Sequence, residues 1–197
     1  AGYIDIAEVT LIQKARPLSF PGYGATRANE ILSIPLANVF NKGNWEISFI
    51  FEPTSNLYAS YLGCIYIDAS NYYYFLVHAT GRIYAYIVSG GTAYSTFHTS
   101  DPVLAKGNKY RITFRGNGSK IAHFINGVKG AAGDVSYVEP VGALPTYMYL
   151  GSHSSGTYQA NGLYDDLRIS SRARTDAEIA AYTSNQLLPV DEYTTYK

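Results

Sequence analysis

The sequence predicts an all-β protein in which two antiparallel sheets pack as a sandwich and one short helix follows near the C-terminus. Three observations carry this expectation. The 20 tyrosines and 8 phenylalanines, set beside one methionine and one tryptophan, suit half-buried pleated surfaces better than helices. Residues 44–52 alternate, with Trp45, Ile47, Phe49 and Phe51 on one side and Glu46, Ser48, Ile50 and Glu52 on the other. A helix start occurs only late in the chain, where Thr175 and Glu178 form a capping box for two orphan amides and Asp176 adds negative charge at the positive helix end. At 197 residues the chain lies within the range of all-β sandwiches built on one core.

In chain order, strands are predicted near 3–12, 17–21, 29–34, 44–52, 63–68, 72–79, 82–88, 93–98, 109–115, 120–126, 146–151 and 162–170. The opening 1–16 holds the strand formers Ile4, Ile6 and Val9 and reads as an added edge strand. Loops fall at Pro21-Gly22, Asn41-Lys42-Gly43, Ser89-Gly90-Gly91, Gly116-Asn117-Gly118 and 130–133, where residues that tolerate positive φ cluster. Asn126-Gly127 is a strong type I′ turn signal. In 162–170, Leu163, Asp165, Leu167 and Ile169 oppose Tyr164, Asp166 and Arg168 with imperfect alternation, as at a sheet margin. Residues 183–197 lose periodicity after the helix and read as a connector toward a following module.

Several of these segments resemble, in order and content, the laminin-G-like jelly rolls of the concanavalin A-like lectin/glucanase class. Asn161–Tyr182, NGLYDDLRISSRARTDAEIAAY, is similar to the family's C-terminal signature, a glycine, an apolar residue and two aspartates on a strand that runs into an R-A-x-[ST]-x-x-E-I helix. Gly43–Pro53 resembles its early strand, Lys106–Gly127 its G-x-W-Y hairpin with Tyr110, Ile112 and Phe114 alternating, and Tyr147–Gly151 its penultimate strand. Leu18–Gly22, LSFPG, resembles the opening L-x-F-D-G, with Pro21 where the family often has aspartate. The likeness spans residues 17–182 and implies a jelly roll with Greek-key connections. It also implies a structural calcium held by an aspartate of the last strand with N-terminal oxygens, Asp165 being the expected ligand. Calcium takes 6 to 8 oxygens, so one carboxylate is not enough; the alternative is that one aspartate caps loop amides while the other faces solvent.

The charges exclude other classes. Lys+Arg and Asp+Glu are 15 each, so the electrostatic footprint of a nucleic-acid partner is lacking. The chain has no apolar run near the roughly 20 residues of a membrane span and no signal peptide, and reads as a module of a longer secreted or particle-borne protein. Cys64, the single cysteine, sits among Ile65, Tyr66 and Ile67 and reads as a buried filler. His78, His98, His123 and His153 lack the spacing and cysteines of a zinc site, and His123 reads as an ordinary sheet residue. Sugar-cleaving enzymes on the resembled sandwich carry a Glu-x-Asp-x-x-Glu run, which puts nucleophile and acid/base on one strand face. It does not occur here. Glu30, Glu46, Glu52, Asp68 and Asp134 read as separate, solvated surface acids.

The tyrosines carry the functional reading. If Ile65 and Ile67 face the core, Tyr66 and Asp68 face away; Ile83, Ala85 and Ile87 likewise send Arg82, Tyr84 and Tyr86 outward. Phe75 and Val77 inward would expose Tyr72, Tyr74 and His78, with Leu76 beside them. Tyr66, Asp68, Tyr74, His78, Arg82, Tyr84 and Tyr86, bordered by Tyr94 and His98, are therefore the candidate ligand-binding residues. Phenol rings stack on the C–H faces of sugars while their polar tips bond hydroxyls. The leading function is a non-catalytic glycan-binding or adhesion module of an extracellular, cell-surface or virion-associated protein, with polysaccharide and neighbouring modules as partners. The alternative is a structural interaction module of a phage tail or bacterial surface assembly, and a glycan-cleaving enzyme without the usual acid run comes third.

Overall fold

The computed structural model describes residues 31–181, apart from 38 and 56–58, and the backbone of 194–196. The expected strands at 3–12 and 17–21, the Leu18–Gly22 motif and Glu30 lie outside the described residues. Thirteen described strands and one helix follow in the order β1 (Leu32–Pro35), β2 (Asn44–Pro53), β3 (Ser60–Asp68), β4 (Asn71–Val77), β5 (Ile83–Ser89), β6 (Thr92–Ser95), β7 (Tyr110–Asn117), β8 (Lys120–Ile125), β9 (Val128–Lys129), β10 (Val135–Ser136), β11 (Tyr147–Leu150), β12 (Gly162–Ser170), α1 (Asp176–Ala180) and β13 (Thr194–Tyr196). One sheet orders as β1-β11-β3-β4-β5-β6; the other as β10-β8-β7-β2-β12-β13, with β9 on β8. Among the described residues no helix is long and apolar enough to cross a membrane.

The core lies between the sheets and is built by the predicted alternation. Trp45, Ile47, Phe49 and Phe51 of β2 are fully buried. They meet rings from both sheets: Trp45 edges Tyr73 and Phe75 at 5.7 Å, and Phe51 lies 4.9 Å from Tyr164. Tilted and edge contacts at these distances are the favoured aromatic geometries. The indole also dictates its neighbour. A Cβ at Gly116, the β7 partner of Trp45, would lie 2.4 Å from the ring, so only glycine fits there. The predicted Asn126-Gly127 turn joins β8 to β9 with both residues at positive φ, 51° and 78°, as a type I′ turn requires.

Three departures from the expected elements have physical causes. The strand expected at 93–98 ends at Ser95, because Thr96 turns inward: its Oγ1 accepts the Ala85 N–H at 2.9 Å and meets Nδ1 of His123 at 2.8 Å. His123 is accordingly a core residue rather than an ordinary sheet position; it is 1% exposed, with Nε2 3.3 Å from Oδ2 of Asp101. Strands β9 and β10 have two residues each, too few to show a period, and part of the expected connector returns as β13 beside β12. In β12 a bulge between Asp165 and Arg168 flips the side-chain phase, so that Tyr164 before it and Leu167 and Ile169 after it all enter the core. That is why the alternation looked imperfect.

The outer face of the second sheet carries buried charge. Glu46 is not a solvated acid: it is 2% exposed and accepts from Arg174 Nη1 at 2.8 Å. Asp134 is likewise paired, with Arg115 and Lys129. The α1 capping box forms as predicted, Glu178 N–H donating to Thr175 Oγ1 and Thr175 N–H to the Glu178 carboxylate at 2.7 Å. Asp176 adds ion pairs to Arg115 and Lys129, and Ile179 packs on Ala122 and Phe124.

Candidate functional site

The opposite outer surface, that of the first sheet, is aromatic. Register aligns Tyr149, Cys64, Tyr74, Tyr86 and Ser95 in one row across β11, β3, β4, β5 and β6. Tyr66, Tyr72 and Val88 make the next row, and Tyr61, Leu76 and Tyr84 a third. Because side chains two apart share a face, the inward set Ile65, Tyr73, Phe75, Val77, Ile83, Ala85 and Ile87 forces these outward, as the sequence predicted for Tyr66, Tyr72, Tyr74, Leu76, Tyr84 and Tyr86. The phase is held in β3 by a bulge at Leu62, which places Tyr61 and Cys64 together on the outer side.

The face is layered rather than flat. Cys64, Tyr74 and Leu76 form its floor, at 0%, 8% and 9% exposure; Tyr61, Tyr66, Tyr72, Tyr84, Tyr86 and Tyr149 pack over and around them and stay partly exposed. Tyr74 is therefore buried, against expectation. Tyr72 stacks on it at 4.0 Å, Tyr61 edges it at 4.9 Å, and the His153 ring lies 5.5 Å away. Tyr66 and Tyr86 flank Tyr72, each with its ring centroid at 6.3 Å and nearly parallel. Burial pushes the Tyr61 phenol and the Cys64 thiol up to about 12 and raises Tyr72, Tyr74 and Tyr84 as well, so these groups are uncharged at neutral pH.

His153 was not expected at this site, since it comes from the loop after β11 and nothing local in the sequence links it to β4. Its Nδ1 accepts the backbone N–H of Ser155 at 3.2 Å. A backbone amide can only donate, so in the neutral ring the proton sits on Nε2 and points at Tyr74 Oη, 3.0 Å away. Burial lowers the His153 pKa and favours this neutral form. Tyr74 thus accepts from the imidazole.

The polar candidates stand at the margins. Asp68 is exposed and accepts from Ser70 N–H and Asn71 Nδ2, closing the turn into β4. His78 holds Thr80 through Nδ1 and packs tilted against Phe97 at 4.4 Å, beside Tyr84. Arg82 Nε donates to the Asp101 carbonyl at 2.8 Å. His98 is exposed and caps Ser100. Tyr94 does not border the face: it pairs with Ile87 and packs on the core against Tyr137. The missed members, Tyr61 and Tyr149, belong to strand ends where the bulge and the short β11 hide any period.

Asp165 and Asp166 lie on the other sheet. Asp166, at φ 48°, accepts from Arg111 Nη2 at 2.6 Å and Arg168 Nε at 2.8 Å. Both its oxygens are so engaged. Asp165 Oδ1 accepts the Asp166 N–H. With two guanidinium groups adjacent and no cluster of three or more His, Cys, Asp or Glu among the described residues, these residues do not by themselves fit a calcium ion.

Solved structures of the same architecture include domain 4 of an extracellular arabinanase from Geobacillus stearothermophilus in complex with arabinotriose, at TM-score 0.64 and 16% identity, covering 77% of this chain and 71% of that one. The CBM40 of the Ruminococcus gnavus IT-sialidase superposes at TM-score 0.60 and 13% identity, covering 81% and 96%, and has also been solved with α2,3-sialyllactose. A heptameric pentraxin from Limulus polyphemus gives TM-score 0.54 at 13% identity, over 79% and 80%. No curated protein matches the sequence. Residues 28–180, most of the described sandwich, match the model of the concanavalin A-like lectin/glucanase superfamily in its laminin-G-like form, and the chain belongs to that family.

Proposed function

We propose that the protein is a non-catalytic glycan-binding module of an extracellular or particle-borne protein, with its ligand on the tyrosine face of the first sheet. The observation that carries this reading is the concentration of Tyr61, Tyr66, Tyr72, Tyr84, Tyr86 and Tyr149, all partly exposed, over one uncharged floor. Such rings offer flat apolar surface at little conformational cost and a hydroxyl at each tip. Asp68, His78 and Arg82 would act at the rim, where their hydrogen bonds hold the adjoining turns and loop. The arabinotriose and sialyllactose complexes of two structural neighbours support a glycan as the ligand class. Non-catalytic action is supported by the acids: Asp68 serves its turn, while Glu46 is buried against Arg174 on the other sheet.

A structural calcium at Asp165, completed by N-terminal oxygens, is a separate proposal. The glycan reading is tested by screening the 197-residue chain on a glycan array and titrating the hits by calorimetry, with Tyr72→Ala as the variant. Loss of a central stacking ring lowers affinity by on the order of 1–2 kcal/mol, about five- to thirtyfold. Absence of any glycan hit, or undiminished affinity in Tyr72→Ala, refutes the reading and favours an interaction module.

A further inference from the structure

Tyr158 occupies a backbone conformation that its own side chain disfavours. Its φ is +54°, in the left-handed region that bulky side chains rarely adopt, yet its side chain is 63% exposed and packs into no core. Glycine or asparagine would occupy this backbone more readily. The conformation is imposed from both sides. Tyr61 N–H donates to the Tyr158 carbonyl at 2.9 Å, and Gln159 bridges to Tyr61, so the loop is stitched to β3. The preceding turn is closed by Gly156 N–H on His153 O and His153 N–H on Thr157 O, and Ala160 N–H returns to Gly151 O. A rigid loop therefore delivers two rings to the tyrosine face: His153 onto its floor and Tyr158 at its edge. The Tyr158 ring stands 5.7 Å from that of Tyr61, tilted by 38°.

We propose that Tyr158 is a ligand-contacting residue, the aromatic side wall of the glycan site, which with Tyr61 forms a splayed pair able to hold one sugar ring by its C–H face. This rests on the glycan reading of the tyrosine face and extends it to a loop that the sheet pattern does not include. The physical logic is that a strained, exposed aromatic adds little to folding, so its contribution is realised when a ligand covers it. At 38° the two rings are splayed rather than stacked shut on each other, and the Tyr158 side of the pair is exposed. A neutral sugar ring with an apolar face suits such a wall, and its hydroxyls would find the phenol tips.

The test uses the full chain with the strongest oligosaccharide from a panel that includes arabinotriose and α2,3-sialyllactose. Tyr158→Gly should lower affinity about tenfold or more while Tm stays equal to wild type or rises, because the left-handed strain is relieved. Tyr158→Phe, which keeps the ring, should retain most of the affinity. Undiminished affinity in Tyr158→Gly alongside loss in Tyr72→Ala overturns the Tyr158 assignment and leaves the glycan reading intact. A marked fall in Tm for Tyr158→Gly also overturns it, since the ring would then be structural. If the wild type binds none of the panel, the glycan reading and the wall both fall.

Discussion

Two tyrosines that are register partners should respond very differently to truncation. Tyr74 and Tyr86 face each other across β4 and β5, and from the sequence they look equivalent. Tyr74, however, is 8% exposed, stacked by Tyr72 at 4.0 Å, edged by Tyr61 at 4.9 Å and hydrogen-bonded to His153 at 3.0 Å. Tyr86 is partly exposed, and the Tyr72 ring lies 6.3 Å from its own. Tyr74→Ala therefore removes a buried ring and opens a cavity over Cys64 and Leu76, a loss of about 3–5 kcal/mol for a core aromatic. It also strips the Nε2–H of His153 of its acceptor. Tyr86→Ala removes a half-covered ring from the surface and should cost about 1 kcal/mol. For a chain of this size, 1 kcal/mol moves Tm by roughly 2–4 °C, so the expected shifts are about 6–20 °C for Tyr74→Ala and about 2–4 °C for Tyr86→Ala. Differential scanning calorimetry and urea melts of the two variants measure this directly. Equal shifts would mean that Tyr74 is no part of a buried floor and that the layered description of the face is wrong.

Stability should also depend on pH through His123. Burial lowers its pKa despite the neighbouring Asp101 carboxylate, so the unfolded chain takes up a proton that the folded chain resists; the stabilising contribution is complete above the unfolded value near 6.5 and is lost as pH falls through the lower folded value. Tm should thus drop as pH falls below about 6.5, and a Tm that stays flat on acidification contradicts the buried neutral imidazole. Glu46→Gln should cost about 3 kcal/mol, because it removes the carboxylate from a guanidinium that is 3% exposed; a urea midpoint within error of wild type would show that the pair is dispensable. For the calcium proposal, excess calcium should raise Tm relative to chelator and Asp165→Ala should abolish the difference, whereas identical melts with and without chelator remove the ion from consideration.

Much of the fold was legible because it depends on periods that the chain displays openly. The alternation of Trp45, Ile47, Phe49 and Phe51 sets β2, Asn126-Gly127 sets the turn after β8, and Thr175 with Glu178 sets the start of α1, each through local backbone chemistry. Parity likewise sorted Tyr66, Tyr84 and Tyr86 from Ile65, Ile83 and Ile87. What sequence could not decide is whatever depends on which strands become neighbours. Tyr74 sinks below the surface because, besides Tyr72 of its own strand, β3 and the 151–160 loop bring Tyr61 and His153 over it from other parts of the chain. Glu46 reads as a surface acid until Arg174 arrives from beyond β12, and nothing local to Asp166 announces that Arg111 will reach it from β7 alongside its neighbour Arg168. A period states which way a side chain points; what it meets there is set by sheet order and loop placement, and burial, charge pairing and pKa all follow from that meeting.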